Sequence, residues 1–173
     1  MRKFFATNAY PLNKVRQGGV LQHRFNNTFQ RQVKVENNPT WILVVALALF
    51  APDGRLLLQQ RLAGKHHGGL WEFPGGKVER GETPRVALAR EVDEELGIKL
   101  DPSTLVPAHF AEESGERTVV LNLYTASLDA CDPHGRDGQL WGWFDAEQAA
   151  ALALAPMDRK LLSHIRHFRV AKL

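Results

Sequence analysis

The stretch LWEFPGGKVERGETPRVALAREVDEELGI, residues 70–98, restricts the fold more than any other part of the chain. Glu72, Glu79, Glu82, Glu91, Asp93, Glu94 and Glu95 crowd around two adjacent glycines and a helical run. Like charges at neighbouring helical positions repel, so the arrangement costs stability unless a counter-charge meets it. Thr83 before Pro84 makes a helix start, as N-cap and first helical residue, and Gly97 makes a stop. At about 100° per residue, Glu91, Glu94 and Glu95 share one arc of roughly 100°, while Ala89, Val92 and Leu96 form a separate apolar stripe. Arg90 borders the acidic arc, placed to pair with Glu94 or to reach back to Glu79 or Glu82. Either arginines supply the counter-charge, leaving a solvated helix face, or a bound cation does. Three oxygen-bearing side chains on one rigid face suit a hard ion such as Mg²⁺.

Around this helix the pattern is mixed. WILVVALALF (Trp41–Phe50) is an apolar run rich in β-formers, and the turn APDG leads to a second strand, RLLLQQR (Arg55–Arg61), so the two read as a hairpin. LAGKHHGGL is a polar loop and WEFPGG a short extended piece. TLVPAHFAEES and TVVLNLYTASL (Thr118–Leu128) flank the turn SGER, and QLWGWFD is a last short strand. Asp145 caps a short alanine-rich helix, and PMDRKLLSHIRHF (Pro156–Phe168) is a final amphipathic one. Strands and helices do not strictly alternate and nothing repeats, which favours an α+β sandwich over a doubly wound parallel sheet.

Charge divides the chain. Residues 1–40 carry seven Lys/Arg against the single acid Glu36, whereas the remainder holds 15 basic and 18 acidic groups. The expected organisation is a basic N-terminal extension, 1–38, before one domain, 39–173. The extension is compatible with a poorly ordered tail, an organellar targeting peptide or a nucleic-acid-binding arm, and any nucleic-acid contact is confined to this arm. No run approaches a membrane-spanning length. The lone Cys131 allows no intramolecular disulfide, which points to a cytoplasmic setting; it lies in DACDPHG, without an organised base, and reads as incidental. The GGK at 75–77 is no P-loop, because Trp71 and Val78 stand where that motif needs Gly and Ser/Thr.

Gly76, five residues, Glu82, seven residues, then Arg90-Glu91-Val92-Asp93-Glu94-Glu95-Leu96-Gly97-Ile98 match the box of the Nudix hydrolases without a departure. The chain resembles that family from about Pro39 onward. Through LWEFPGGKVERGET, RLLLQQR and LAPMDRKLL it resembles more narrowly the MutT-type nucleoside triphosphate pyrophosphohydrolases. The resemblance implies an α/β/α sandwich with a mixed sheet and the box as a loop–helix. It implies Mg²⁺, with Mn²⁺ as a substitute, held by the Gly75 carbonyl, Glu91, Glu94 and Glu95, and a catalytic set of Glu91, Glu94, Glu95, Asp137 and Arg90. Arg61 matches a phosphate-contacting arginine, Arg117 and Asp158 match base-contacting positions, and Phe73 matches a residue whose backbone faces the base. Two positions depart from MutT: Asp137 stands for a glutamate one methylene longer, and Asp158 for an asparagine.

The expected activity is cleavage of a (deoxy)nucleoside triphosphate to monophosphate and pyrophosphate, on oxidised purine nucleotides of the 8-oxo-dGTP kind or on CTP and dCTP. An ADP-ribose or dinucleotide hydrolase is the alternative; an RNA-cap-directed enzyme and a silent nucleotide-binding regulator rank lower. Glu91, Glu95 and Asp137 all remain candidates for the general base, and oligomeric state is open. His66 and His67 read as a solvated loop pair and Trp71, Trp141 and Trp143 as packing residues.

Overall fold

Trp41–Phe50, the apolar run, forms β1, and its burial on both sides explains why it does not alternate with polar residues. Val45, Leu47 and Leu49 pack into one apolar layer, Ala46 and Ala48 into the other. The computed structural model describes residues 41–128 and 131–165. The expectations for the extension 1–38 and for the helical residues 166–168 lie outside the described residues.

The remaining elements follow in order: β2 (Leu56–Gln60), β3 (Trp71–Glu72), β4 (Gly75–Lys77), α1 (Pro84–Leu96), a 3₁₀ turn (Pro102–Thr104), β5 (Val106–Glu113), β6 (Thr118–Ser127), β7 (Trp141–Phe144), α2 (Ala146–Ala151) and α3 (Pro156–Ile165). The strands make one mixed sheet in the order β3-β2-β1-β6-β5, with β4 against β1 and β7 against β2. β1 and β6 run parallel over ten paired residues, Trp41↔Thr118 to Phe50↔Ser127, and β5 lies antiparallel on β6. Helix α1 covers one face through Ala87, Leu88, Val92 and Leu96. Helices α2 and α3 cover the other through Ala149, Leu161, Leu162 and Ile165. This is the expected α/β/α sandwich. No helix among the described residues is long and apolar enough to cross a membrane.

Two expectations change. The β1–β2 hairpin is paired only next to its turn, at Phe50↔Leu56; further along β1, β4 takes the place beside Val44–Ala46. The core stripe of α1 is also displaced: Ala87 and Leu88 are fully buried, whereas Ala89 is only half-buried. Because α1 packs over β4 as well as β1, the sheet covers the helix on its acid-bearing side too, and the small Ala87 fits there. The helix ends are as read: the Thr83 side chain accepts from the Val86 N–H at 3.4 Å, and Gly97, left-handed, donates to the Asp93 carbonyl at 2.9 Å.

Candidate active site

The glycine pair lets the acidic helix approach the sheet. Gly75 has φ +150°, and a Cβ there would lie 2.1 Å from the Val45 carbonyl oxygen of β1. A Cβ on Gly76 would lie 2.2 Å from Cδ of Glu91, so the Glu91 carboxylate rests directly on the strand backbone. One turn further, Glu95 Oε2 accepts from the Gly75 N–H at 3.3 Å and from Gln59 Nε2 at 2.7 Å. Glu94 turns away and its side chain is 58% exposed. The three glutamates share one arc of α1, but only two of them press against β4.

Arg90 supplies part of the counter-charge. Its Nε and Nη2 grip both oxygens of Glu82 at 2.8 and 3.0 Å, Nη1 donates to Glu91 at 3.0 Å and Glu94 at 3.1 Å, and Nη2 also donates to the Lys77 carbonyl at 3.2 Å. Of the partners considered from the sequence, Glu82 and Glu94 are engaged. A guanidinium so fully occupied orients the carboxylates and braces the preceding loop.

Glu72 and Gln59 are the site residues that the sequence reading passed over. Glu72 on β3 is buried between Gln59, its cross-strand neighbour, and the Arg61 guanidinium, with which it forms an ion pair. A charged residue among apolar ones, just before a Gly-Gly turn, was the available signal. Burial pushes Glu72 up to about 7 against the pull of Arg61. Burial likewise pushes Glu95 up to about 7, opposed by the Gln59 hydrogen bond and reinforced by the charges of Glu72 and Glu91. Both acids are thus buried at a cost that Arg61 and Gln59 offset only in part.

Glu72, Glu91 and Glu95 line a cleft of about 870 Å³ that continues between the sheet and the start of α3. At that far end Asp158, 5% exposed, accepts the Phe73 N–H through Oδ1 at 2.9 Å. Burial pushes its carboxyl up to about 6, despite that hydrogen bond and the Arg61 charge. The Phe73 N–H is thus taken by Asp158, and its side chain is buried in the core. Val44, Ala46, Leu121 and Met157 add apolar surface to the cleft. Arg117, on the β5–β6 turn, and His66 and His67, in the loop after β2, also line it.

Asp137 is exposed on the loop before β7, and with Glu72, Glu95 and Arg61 it borders a small adjoining recess. That loop closes on the end of α1: Gln139 Nε2 and the Arg136 N–H both donate to the Glu95 carbonyl, at 3.0 and 2.9 Å. None of Trp71, Trp141 and Trp143 lines the cleft; Trp71 packs edge-on against Phe144 at 5.0 Å, and the other two pack on the α1 layer. Burial raises the Cys131 thiol, the reverse of what activates a nucleophile.

The donor set fits a hard divalent cation. Its atoms are carboxylate and carbonyl oxygens, and their proximity without a sufficient counter-charge is what such an ion relieves. No group of three or more His, Cys, Asp or Glu side chains placed to hold a metal ion by themselves forms among the described residues. An open set of this kind suits Mg²⁺, which keeps several waters and shares itself with substrate phosphates rather than sitting in an all-protein cage.

Comparison with known proteins agrees with this geometry. The family model of the NUDIX domain matches residues 40–165. The chain is 38% identical over 135 residues to the CTP pyrophosphohydrolase of Escherichia coli, covering 76% of this chain and 96% of that one. It is 35% identical over 125 residues to the 8-oxo-dGTP diphosphatase of Haemophilus influenzae, covering 72% and 91%. The solution structure of the E. coli ORF135 protein superposes with a TM-score of 0.64 at 34% identity, covering 76% of this chain and 94% of that one. Nudix hydrolases generally require a divalent metal ion. On the family match, the relatives and the box itself, the chain belongs to the Nudix hydrolase family.

Proposed function

We propose that this protein hydrolyses (deoxy)nucleoside triphosphates to monophosphate and pyrophosphate with Mg²⁺, in the cytoplasm, clearing oxidised nucleotides of the 8-oxo-dGTP kind or acting on CTP and dCTP. One observation carries the reading: a single cleft joins an acid-rich end, Glu72, Glu91 and Glu95, to a buried polar end, Phe73 and Asp158, with Arg61 lining it. That is the shape of a nucleotide, polyphosphate at one end and base at the other. The relatives named for CTP and for 8-oxo-dGTP support it. A chain with one cysteine keeps no disulfide for an oxidising compartment, which supports the location.

Gly75 O, Glu91 and Glu95 would hold the cation, joined by Glu94, which Arg90 keeps beside Glu91 and which would turn inward from water to reach it. When bound there it would neutralise phosphate charge and acidify the attacking water. Arg61, now paired with Glu72, would transfer a charge-assisted hydrogen bond to a phosphate oxygen. Glu91, Glu95 and Asp137 stand as the candidates to take up the water's proton: Glu95 is held by Gln59, Glu91 is tied to Arg90, and Asp137 is exposed at the adjoining recess. Arg90 keeps Glu91 and Glu94 in place, and Arg117 would reach the nucleoside from the β5–β6 turn. Asp158 has one oxygen spent on Phe73, so its other oxygen would read the base: as an acceptor for an amino group when ionised, as a donor to a carbonyl when protonated.

The test is a panel of natural and oxidised nucleotides assayed with Mg²⁺ for pyrophosphate against orthophosphate. Pyrophosphate release from one base class supports the reading. Turnover confined to ADP-ribose or dinucleotides would replace it with the alternative activity.

A further inference from the structure

Gln59 stands where the strand pattern calls for an apolar side chain. Along β2, Leu56 and Leu58 face the α2–α3 layer and Leu57 faces α1, so the next position on the α1 side is Gln59. It is 2% exposed. Its Nε2 donates to Glu95 Oε2 at 2.7 Å and to Glu72 Oε1 at 3.4 Å, so both amide hydrogens are directed at carboxylates. The reverse amide orientation would set its oxygen against carboxylate oxygens, so the geometry selects this one. The consequence is an orphan: Gln59 Oε1 is buried without a hydrogen-bond partner, and no other buried side-chain atom among the described residues is so placed.

A buried acceptor without a donor costs stability, and a leucine or methionine would avoid that cost. What an apolar residue would not provide is the donor between two carboxylates that converge from different elements, Glu72 from β3 and Glu95 from α1. Without Nε2, Glu95 keeps only the longer bond from Gly75 N–H, and the two acids face each other across the gap. Resting on the metal-dependent reading above, we infer that Gln59 is a positioning residue of the cation site: its amide ties Glu72 to Glu95 and fixes the direction in which Glu95 presents its carboxylate. The link continues outward, since Glu72 also holds Arg61. The proposed phosphate arm and the proposed cation ligand therefore share one hydrogen-bonded chain through Gln59.

The experiment titrates Mn²⁺ into the protein without nucleotide, reading free Mn²⁺ by electron paramagnetic resonance. Gln59→Met keeps the length and removes the donor. Its Mn²⁺ affinity should fall about tenfold, the scale on which groups that orient a metal ligand act. Gln59→Asn keeps an amide too short to span both acids, should lose affinity similarly, and serves if the methionine variant does not fold. Thermal melting in chelator separates the roles: affinity lost in a protein that still melts cooperatively supports positioning. A folded variant that binds Mn²⁺ within about twofold of wild type overturns the inference, whether or not its melting temperature has dropped. Because no nucleotide is present, a failed nucleotide panel would sink the hydrolase reading and leave this result standing.

Discussion

The two ends of the cleft each bury carboxylate, and they manage it differently. At one end Glu72 and Glu95 lie close together, pushed to about 7 by burial and with Glu91 close by; Arg61 and Gln59 relieve them only in part. At the other, Asp158 is pushed to about 6 by burial, against the Phe73 N–H and the charge of Arg61. A crowd of acids cannot all discharge by taking protons without losing the charge that a cation needs. A single carboxyl at the recognition end can take or release one proton and so change what it offers a ligand. On the proposed function, the first end takes the counter-ion and the chemistry and the second the recognition.

The largest effect should come from the crowded end. Glu95→Gln is expected to lower turnover at least about a thousandfold while keeping the fold, and wild type in excess chelator should be equally inactive. Robust activity of either would erase the contrast, because the acid end would then need no cation. Arg61→Ala should lower kcat/KM by about ten- to a hundredfold, the worth of one hydrogen bond to a charged group, with the loss growing from mono- to triphosphate ligands in binding assays. Equal losses for all three would make Arg61 only the partner of Glu72.

Asp158→Asn sharpens the other end. The ranking of nucleotides by kcat/KM should shift about five- to a hundredfold, and most of the pH dependence of that ranking near pH 6 should disappear. Stability gives an independent reading. The folded pKa lies above the ordinary value, so folding disfavours the ionised form. The penalty is absent below about pH 4, grows between about pH 4 and 6, and is complete above. The asparagine variant, which still accepts the Phe73 N–H, should therefore be more stable than wild type by about 2–3 kcal/mol near pH 8, with the gain vanishing near pH 4 in denaturant titrations. An unchanged ranking would reduce Asp158 to a residue of the helix start. The smallest effect is expected from deleting residues 1–38, which should alter nucleotide turnover by less than about twofold and weaken any salt-sensitive nucleic-acid binding. A folded but inactive truncation would bring the extension into the site.

Local pattern was legible wherever a local rule governs. Thr83-Pro84 and Gly97 bound α1 as expected, because caps are satisfied within a few residues. The apolar run at 41–50 became a strand buried on both sides, and Asp145 closed a capping box with Gln148. The spacing of Glu82, Arg90, Glu91, Glu94 and Glu95 contained the helix-borne acids and their arginine, without Glu72 of β3. The core stripe of α1 was misplaced by a residue or two because helical periodicity shows which residues share a face without showing how far a strand will wrap around it. The β1–β2 pairing was over-extended because two strands joined by a tight turn pair by default, and nothing nearby announces that β4 will displace one of them.

What the chain determined by itself is the chemistry available: oxygen ligands on one helix, two glycines before it, an arginine beside them, and a box whose spacing assigns the family. These follow from residue type and a period, and a period is a property of the backbone alone. Only the tertiary structure decided which acids are buried. Glu94 faces water and Glu95 faces Gln59, although the two are adjacent in sequence. Glu72 became part of the site because β3 lies beside β2, and Asp158 because the start of α3 reaches Phe73 across 85 residues of chain. Desolvation and the pairing of charges depend on what approaches from elsewhere in the fold, and that is why the perturbed carboxyls, and the amide that joins two of them, were visible only once the sheet and its helices had closed together.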